Sequence, residues 1–532
     1  MMGIRCNTWQ QIPPQVKKLF VALLLIHALL MVIYTLHQSP ACDETMYFDY
    51  AVRWANGNPE RLVNTDDSKT PMVFPALGVL AIKPFFPNTH YQVWVEAGRL
   101  PMYMYTALAT LGILFWMQTL EKIRWWWVAV ALFLADPVVL SNSMMVGSDM
   151  ATAAFWIWVP WLGLRLGLLH QPKHLFALSL ACALGLLAKT SMVYLLPLAA
   201  LGYLTGWRQS RKNSLEARRG KLQPAHFAGA LALYLLILHA GYGFYKTGQL
   251  PNAESWQSLK FRQLATQWPM LWQVMRTVPW AVLQSFDWLL HNAEAGGGTT
   301  AANSYKGVFL LGYYKTHGGF WHYYLTTFWY KWPEVYLLIS LGSTLLWLNR
   351  LRQVKKWQPN LPLVLLLTTS AGYLALISFT NPFQIGIRHA LPGLAPLYTL
   401  VAAGLGSSQQ WKKYCLGILF VLHFLHLGMF WPNLQGFAAL RAGNPATLYR
   451  KIFDSTFYYC ADEKLYYKFL AQNPEFKVPP EQPAPGRYAI RLSAYADFYA
   501  QPPLQRHWLL RDYVPRGHYK TGILLFTVEK IR

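Results

Sequence analysis

Eleven apolar runs divide this chain, near 19–36, 98–118, 125–141, 149–168, 174–188, 191–206, 226–245, 333–349, 361–379, 390–406 and 413–431. Runs that approach the ~20 residues needed to cross a bilayer predict membrane-spanning helices. The Trp and Tyr residues at many of their ends read as interfacial anchors. After position 432 the pattern changes. A helical segment around 461–472 precedes a Pro-rich stretch, Val478-Pro-Pro-Glu-Gln-Pro-Ala-Pro485, and then two strand-like runs, Tyr488-Ala-Ile-Arg-Leu and Gly522-Ile-Leu-Leu-Phe-Thr-Val.

The basic residues between the runs orient the chain. Arg5, Lys17 and Lys18, then Lys122 and Arg124, Arg165 and Lys173, the 208–221 cluster, Arg350 to Lys356, and Lys412 with Lys413 all fall on one side of an eleven-span path. The positive-inside rule makes that side cytoplasmic, with the N-terminus inside. The expected organisation is an all-α polytopic membrane domain over 1–432, with outer loops 37–97 and 246–332. A small α+β soluble domain over 433–532 follows on the outer face.

Composition agrees with a membrane protein. The 532 residues are 54% hydrophobic, 16% aromatic and only 13% charged, with a mean hydropathy of +0.19 and about half the charge of a soluble chain. A formal charge of +24 invites a nucleic-acid reading. The Lys and Arg residues nevertheless sit in short loops, where orientation and anionic lipid explain them, and no nucleic-acid motif accompanies them. The first span has a charged lead but no small-residue cleavage site after it, and reads as a signal anchor. The five cysteines lack metal-type spacing, and only Cys42 and Cys460 are placed to oxidise together.

Candidate chemistry gathers on the predicted outer side. The first span runs into His37-Gln-Ser-Pro-Ala-Cys-Asp43-Glu44, and two carboxylates at a membrane surface are costly unless they face a cavity or a partner. Lys69, Arg99, Asp149, Lys189, Arg388 and His389 share that side. Carboxylates can take the proton of an incoming hydroxyl, while cations steady a departing phosphate. Bland readings exist for each: Asp149 is placed to cap the helix that follows it, Lys189 to snorkel, and Arg99 to anchor at the interface. Arg388 stands out, because a lone Arg in an outer turn runs against the orientation rule.

At this point the chain resembles a family. Asp43-Glu44, Lys69-Thr-Pro71, Arg99 and Asp149 follow the order seen in polyprenyl-phosphate-dependent, protein-O-mannosyltransferase-like glycosyltransferases of the GT-C fold (family 39-like). Phe309-Leu-Leu-Gly312, Gly318-Gly-Phe-Trp-His-Tyr-Tyr324 and Lys331-Trp-Pro333 are similar to that family's long outer loop. Gly386-Ile-Arg-His389-Ala-Leu-Pro392 looks like its arginine-histidine-leucine-proline signature. The resemblance covers roughly residues 15 to 432 and, more weakly, the tail. Two departures bear on the acceptor. The region from Asp454 to Glu463 lacks the family's aspartate-tryptophan-glycine element, and Trp332 stands where a small or hydroxyl residue is usual.

The resemblance implies an inverting transfer of a sugar from a polyprenyl-phosphate carrier to a protein, lipid or glycan hydroxyl. It places the reaction on the periplasmic face of a bacterial inner membrane. It implies Asp43 as general base with Glu44 and Asp149 orienting, and Lys69, Arg99, Lys331, Arg388 and His389 on the lipid phosphate. No cofactor is required, and the carboxylates leave room for a divalent cation. Two other readings fit the pattern. A multi-spanning transporter calls for charges at mid-membrane depth, and a lipid-linked oligosaccharide ligase or polymerase is chemically close but of another fold.

Overall fold

The computed structural model describes residues 9–41, 43–58, 60, 78, 81, 84–85, 91–212, 220–250, 252–294, 307–353, 360–381, 384–406, 409–454, 461–495, 498–499 and 501–531. Lys69 and its Thr-Pro neighbours lie outside the described residues, as do Cys42 and Cys460.

The chain is mostly helical. In order along it come α1 (Pro14–Leu36), α2 (Glu44–Ala55), α3 (Tyr91–Thr119), α4 (Trp126–Leu134), α5 (Pro137–Asn142), α6 (Asp149–Leu169), α7 (Pro172–Ala188), α8 (Leu195–Lys212) and α9 (Pro224–Gly241). Then follow α10 (Leu259–Gln267), α11 (Pro269–Val274), α12 (Trp280–Glu294), α13 (Tyr323–Lys331), α14 (Glu334–Gln353), α15 (Leu361–Thr380), α16 (Leu391–Gly404) and α17 (Gln410–Phe430). Every one of the eleven apolar runs lies mainly on helix. Among the described residues six helices are long and apolar enough to cross a membrane: α1, α3, α6, α9, α15 and α17.

The run at 125–141 is not one helix. Asp136 interrupts it, accepting the amides of Val138 at 2.7 Å and Val139 at 3.2 Å, and Pro137 starts a new turn where its missing N–H costs nothing. Asp136 also accepts a close hydrogen bond from the Tyr398 hydroxyl, whose oxygen in turn accepts from Trp332 Nε1 at 2.9 Å. The break therefore ties the α4–α5 junction, α16 and Trp332, at the end of α13, together through one buried carboxylate.

Helix α6 is the axis of the bundle, with 94% of its apolar window buried, whereas α9 has 11% and α1 has 28%. Large side chains on α1, such as Leu25 and Leu29, face outward as lipid-contacting residues do. Helix α6 approaches α8 through two facing Gly-x-x-x-Gly pairs, Gly163 with Gly167 and Gly202 with Gly206. A Cβ on Gly163 would stand 2.6 Å from the Ala199 carbonyl oxygen, and one on Gly206 2.2 Å from that of Leu164. Only glycine permits this backbone contact, which is a recurrent way of packing helices where water supplies no drive. The contact sets α6, which begins with Asp149, against the helix that follows Lys189.

The two ends of the bundle differ in character. At one end Trp125 Nε1 donates to the Gly406 carbonyl at 2.7 Å and Lys412 Nζ to that of Leu405 at 3.0 Å. The Arg350 guanidinium lies against Gly406, within electrostatic reach of Lys122. The basic loops thus converge there. The other end carries α2, helices α10 to α13 and the described part of the tail.

The tail contains α18 (Glu463–Gln472) and α19 (Trp508–Asp512). Strands β3 (Gly486–Arg491), β4 (Gly517–Tyr519) and β5 (Ile523–Val528) form an antiparallel sheet in the order β3-β5-β4, with Tyr488 opposite Phe526. Their period-2 alternation splits the sheet. Ala489 and Ile523 pack on Leu465 and Phe469 of α18, while Tyr488, Ile490, Leu524 and Phe526 join the same core as the helices. Ser39 fastens this unit to the bundle, donating its amide to the Ala461 carbonyl at 3.0 Å and accepting the Lys464 amide at 2.8 Å. A short hairpin, β1 (Val308–Leu310) with β2 (Tyr313–Lys315), turns through Leu311 and Gly312, both at positive φ.

Candidate active site

Asp43 and Glu44 are neighbours in sequence and part company in space. Glu44 is fully buried. It accepts Arg99 Nε at 2.8 Å, a second close bond from the same guanidinium, and the amides of Ala41 at 2.7 Å and Val146 at 2.8 Å. Arg99 is buried with it and also donates to the Ser39 carbonyl at 2.8 Å. The sequence reading groups Glu44 with the catalytic set and Arg99 with the donor-binding set. The structure joins them instead in a sealed ion pair that pins the 37–43 loop, α3 and the 144–148 turn together. A desolvated carboxylate with four donors is a strut.

Asp43, one residue earlier, stays partly open, with 26% of its side chain exposed. Arg388 Nη2 donates to its Oδ2 at 3.1 Å, and Arg388 Nη1 stands 3.7 Å from Asp149 Oδ2. Lys189 Nζ donates to Asp149 Oδ1 at 2.8 Å. Two acids and two cations from four elements far apart in sequence therefore form one chain, Asp43–Arg388–Asp149–Lys189. Asp149 does not act as a cap: Ser148 holds the N-cap position, without a side-chain bond, and the carboxylate is turned to its cations. Lys189 is an ion-pair partner, more than the snorkelling reading allows.

Local structure aims Arg388. Gly386 sits at φ +145°, a conformation L side chains rarely adopt, and opens the 3-10 turn Ile387–Ala390. Gln384 clamps this turn to the outer segment, its Oε1 accepting the Phe320 amide at 2.7 Å and its Nε2 donating to the Phe320 carbonyl at 2.9 Å. The stretches 318–324 and 381–392, singled out separately in the sequence, are thereby stitched together. His389 is half-buried; its carbonyl accepts the Tyr373 hydroxyl at 2.9 Å, and its ring lies within electrostatic range of Asp149.

Lys331 belongs to the same neighbourhood. It is buried, donates to the Gln435 carbonyl at 3.0 Å, and lines a small cavity shared with Arg388, Ser141, Asn142 and Phe437. Burial holds its ammonium down to about 7, against the pull of Asp454. Asp454 is buried too and accepts the Tyr323 hydroxyl at 2.7 Å. Gln435, Asp454 and Tyr323 are polar partners that no spacing rule singles out. The one available signal is that Tyr323 and Lys331 share the short aromatic helix α13.

Among the described residues no three His, Cys, Asp or Glu side chains are grouped to hold a metal. Asp43 and Asp149 both lean on a guanidinium, a donor set that does not fit a divalent ion. No protein-family model matches the chain, and no curated protein matches it.

Proposed function

We propose that this chain is an integral-membrane glycosyltransferase that moves a sugar from a polyprenyl-phosphate carrier to an acceptor hydroxyl. In this reading it crosses the membrane eleven times in a GT-C arrangement, with the basic end of the bundle in the cytoplasm and the ion-paired end on the outer face. The observation that carries the reading is the Asp43–Arg388–Asp149–Lys189 chain, a partly open carboxylate beside a buried guanidinium.

The arrangement suits the chemistry. The phosphodiester head of the donor competes with carboxylate for the Arg388 fork, because a guanidinium offers two parallel donors to its two free phosphate oxygens. Drawing Arg388 onto the donor releases Asp43. The Asp43 carboxylate then takes the proton of the acceptor hydroxyl as its oxygen attacks the anomeric carbon. The sugar–oxygen bond to the phosphate breaks, its electron pair leaving with the lipid phosphate held by Arg388 and Lys331. Configuration inverts, and Asp149 with Lys189 keeps Arg388 from withdrawing. Glu44 and Arg99 hold the frame and do not react.

The test is binding of a radiolabelled polyprenyl-phosphate sugar to purified protein in detergent, against Arg388→Lys. Capture that weakens by roughly tenfold or more supports the reading, on the scale of a lost bidentate phosphate contact. A free sugar that binds as well as the lipid-linked one points to a transporter.

A further inference from the structure

We infer that helices α10 and α11 form a platform that lies in the headgroup layer of a bilayer rich in acidic lipid. The segment has its own small core of Trp256, Phe261, Trp272 and Leu283. Its opposite face is unusually apolar for a surface: Trp268, Met270, Leu271 and Val274 are 62%, 86%, 48% and 62% exposed. Contiguous exposed apolar residues mark a contact surface.

Two features identify lipid as what covers it. The first is position. The segment follows α9, the most outward-facing of the long apolar helices, with α10 starting 18 positions after Gly241. Helix α12 anchors it through Ala281 and Val282, packed on Ala183 and Leu187 near the end of α7, next to the Lys189 turn, and on Leu238 and Tyr242 at the end of α9. That height is where a span leaves the hydrocarbon. The second is charge. Both acids of α12 bind backbone amides: Asp287, buried, accepts those of Gln257 and Ser258 at 2.9 Å, and Glu294, exposed, accepts that of Leu259 at 2.9 Å. Lys260, Arg262 and Arg276 are exposed on the same segment as the apolar patch, against two exposed acids among its described residues, Glu254 and Glu294, the second already bound to backbone amides. An apolar face flanked by basic residues settles into an anionic interface. Lys246, held 4.8 Å over the Trp280 ring, adds a snorkelling anchor.

This inference does not depend on the sugar-transfer reading. The test is hydroxyl-radical footprinting of the full chain in nanodiscs, reading oxidation of Met270 and Trp268 by mass spectrometry. Tyr467 of α18, 58% exposed, serves as the water-facing reference. Immersion in the interface predicts at least roughly tenfold protection of Met270 relative to its intrinsic reactivity in discs containing phosphatidylglycerol. It also predicts loss of protection on combining Lys260→Gln, Arg262→Gln and Arg276→Gln. Met270 reacting like a water-exposed methionine would overturn the proposal. So would protection seen only in discs holding two copies of the chain, or protection indifferent to lipid charge.

Discussion

Arg388 reaches Asp43 across 345 positions of sequence, Nη2 to Oδ2 at 3.1 Å, and its other terminal nitrogen stands 3.7 Å from Asp149. One guanidinium thus holds both candidate acids. This geometry distinguishes a fork from a point charge. Arg388→Lys keeps the charge and loses the planar fork of two parallel donors, so donor capture and turnover are expected to fall by about tenfold to a hundredfold each. Arg388→Gln is expected to do worse. Steady-state kinetics with a fluorescent lipid-phosphate sugar check this, and unchanged values in the lysine variant would reduce Arg388 to a structural tie.

The Glu44–Arg99 pair makes a different prediction. Removing one member of a buried, hydrogen-bonded pair strands the other, which costs about 3–5 kcal/mol. Glu44→Gln and Arg99→Met are each expected to lower stability on that scale in denaturant unfolding of the detergent-solubilised protein. The double variant should recover a large part of the loss. A fully stable Glu44→Gln protein with no activity would return Glu44 to the reacting groups.

These two neighbours show what the sequence could and could not convey. The apolar runs predicted helices, because hydrophobic length is a local property. The alternation at Tyr488 and Ile523 likewise placed two strands. That Asp43 stays open while Glu44 is sealed depends on Val146 and Arg99 arriving from elsewhere, which adjacency does not encode. Asp136 was absorbed into a continuous span because apolarity outweighed the Asp-Pro pair, a helix-start signal inside that run. Lys189 read as a snorkelling residue for want of any sign that Asp149 would face it. The facing Gly-x-x-x-Gly pairs at Gly163 and Gly202 were legible in principle, but which two helices they join was not.

Lys331 supplies a pH dependence. Its affinity for protons is depressed to about 7 by burial, so the ammonium is present below that value and lost above it. An anionic donor should therefore bind more tightly on the acid side. We expect affinity to drop by roughly tenfold from about pH 6 to about pH 8. Lys331→Arg should flatten the profile at high affinity and Lys331→Met at low affinity. Binding isotherms across this range are the check, and a wild-type profile preserved in Lys331→Met would place the titrating group elsewhere.

The orientation proposed for the bundle is testable without activity. Alkaline phosphatase fused after Gly436 should be active, and fused near Gln358 inactive, because the basic loops then face the cytoplasm. The reverse result would put Asp43 and Arg388 on the wrong side for the proposed donor and remove the functional reading.

The most direct measurement follows the bond between sugar and lipid phosphate. Purified protein is incubated with a polyprenyl-phosphate sugar labelled in both halves, using membranes from cells lacking the protein as acceptor source. The account predicts that wild type separates the two labels and places the sugar on a hydroxyl. Asp43→Asn should bind donor normally yet transfer roughly a hundredfold to ten-thousandfold more slowly, the scale of a lost general base. Equal transfer by a folded Asp43→Asn protein, or passage of the donor with both labels still joined, would contradict it.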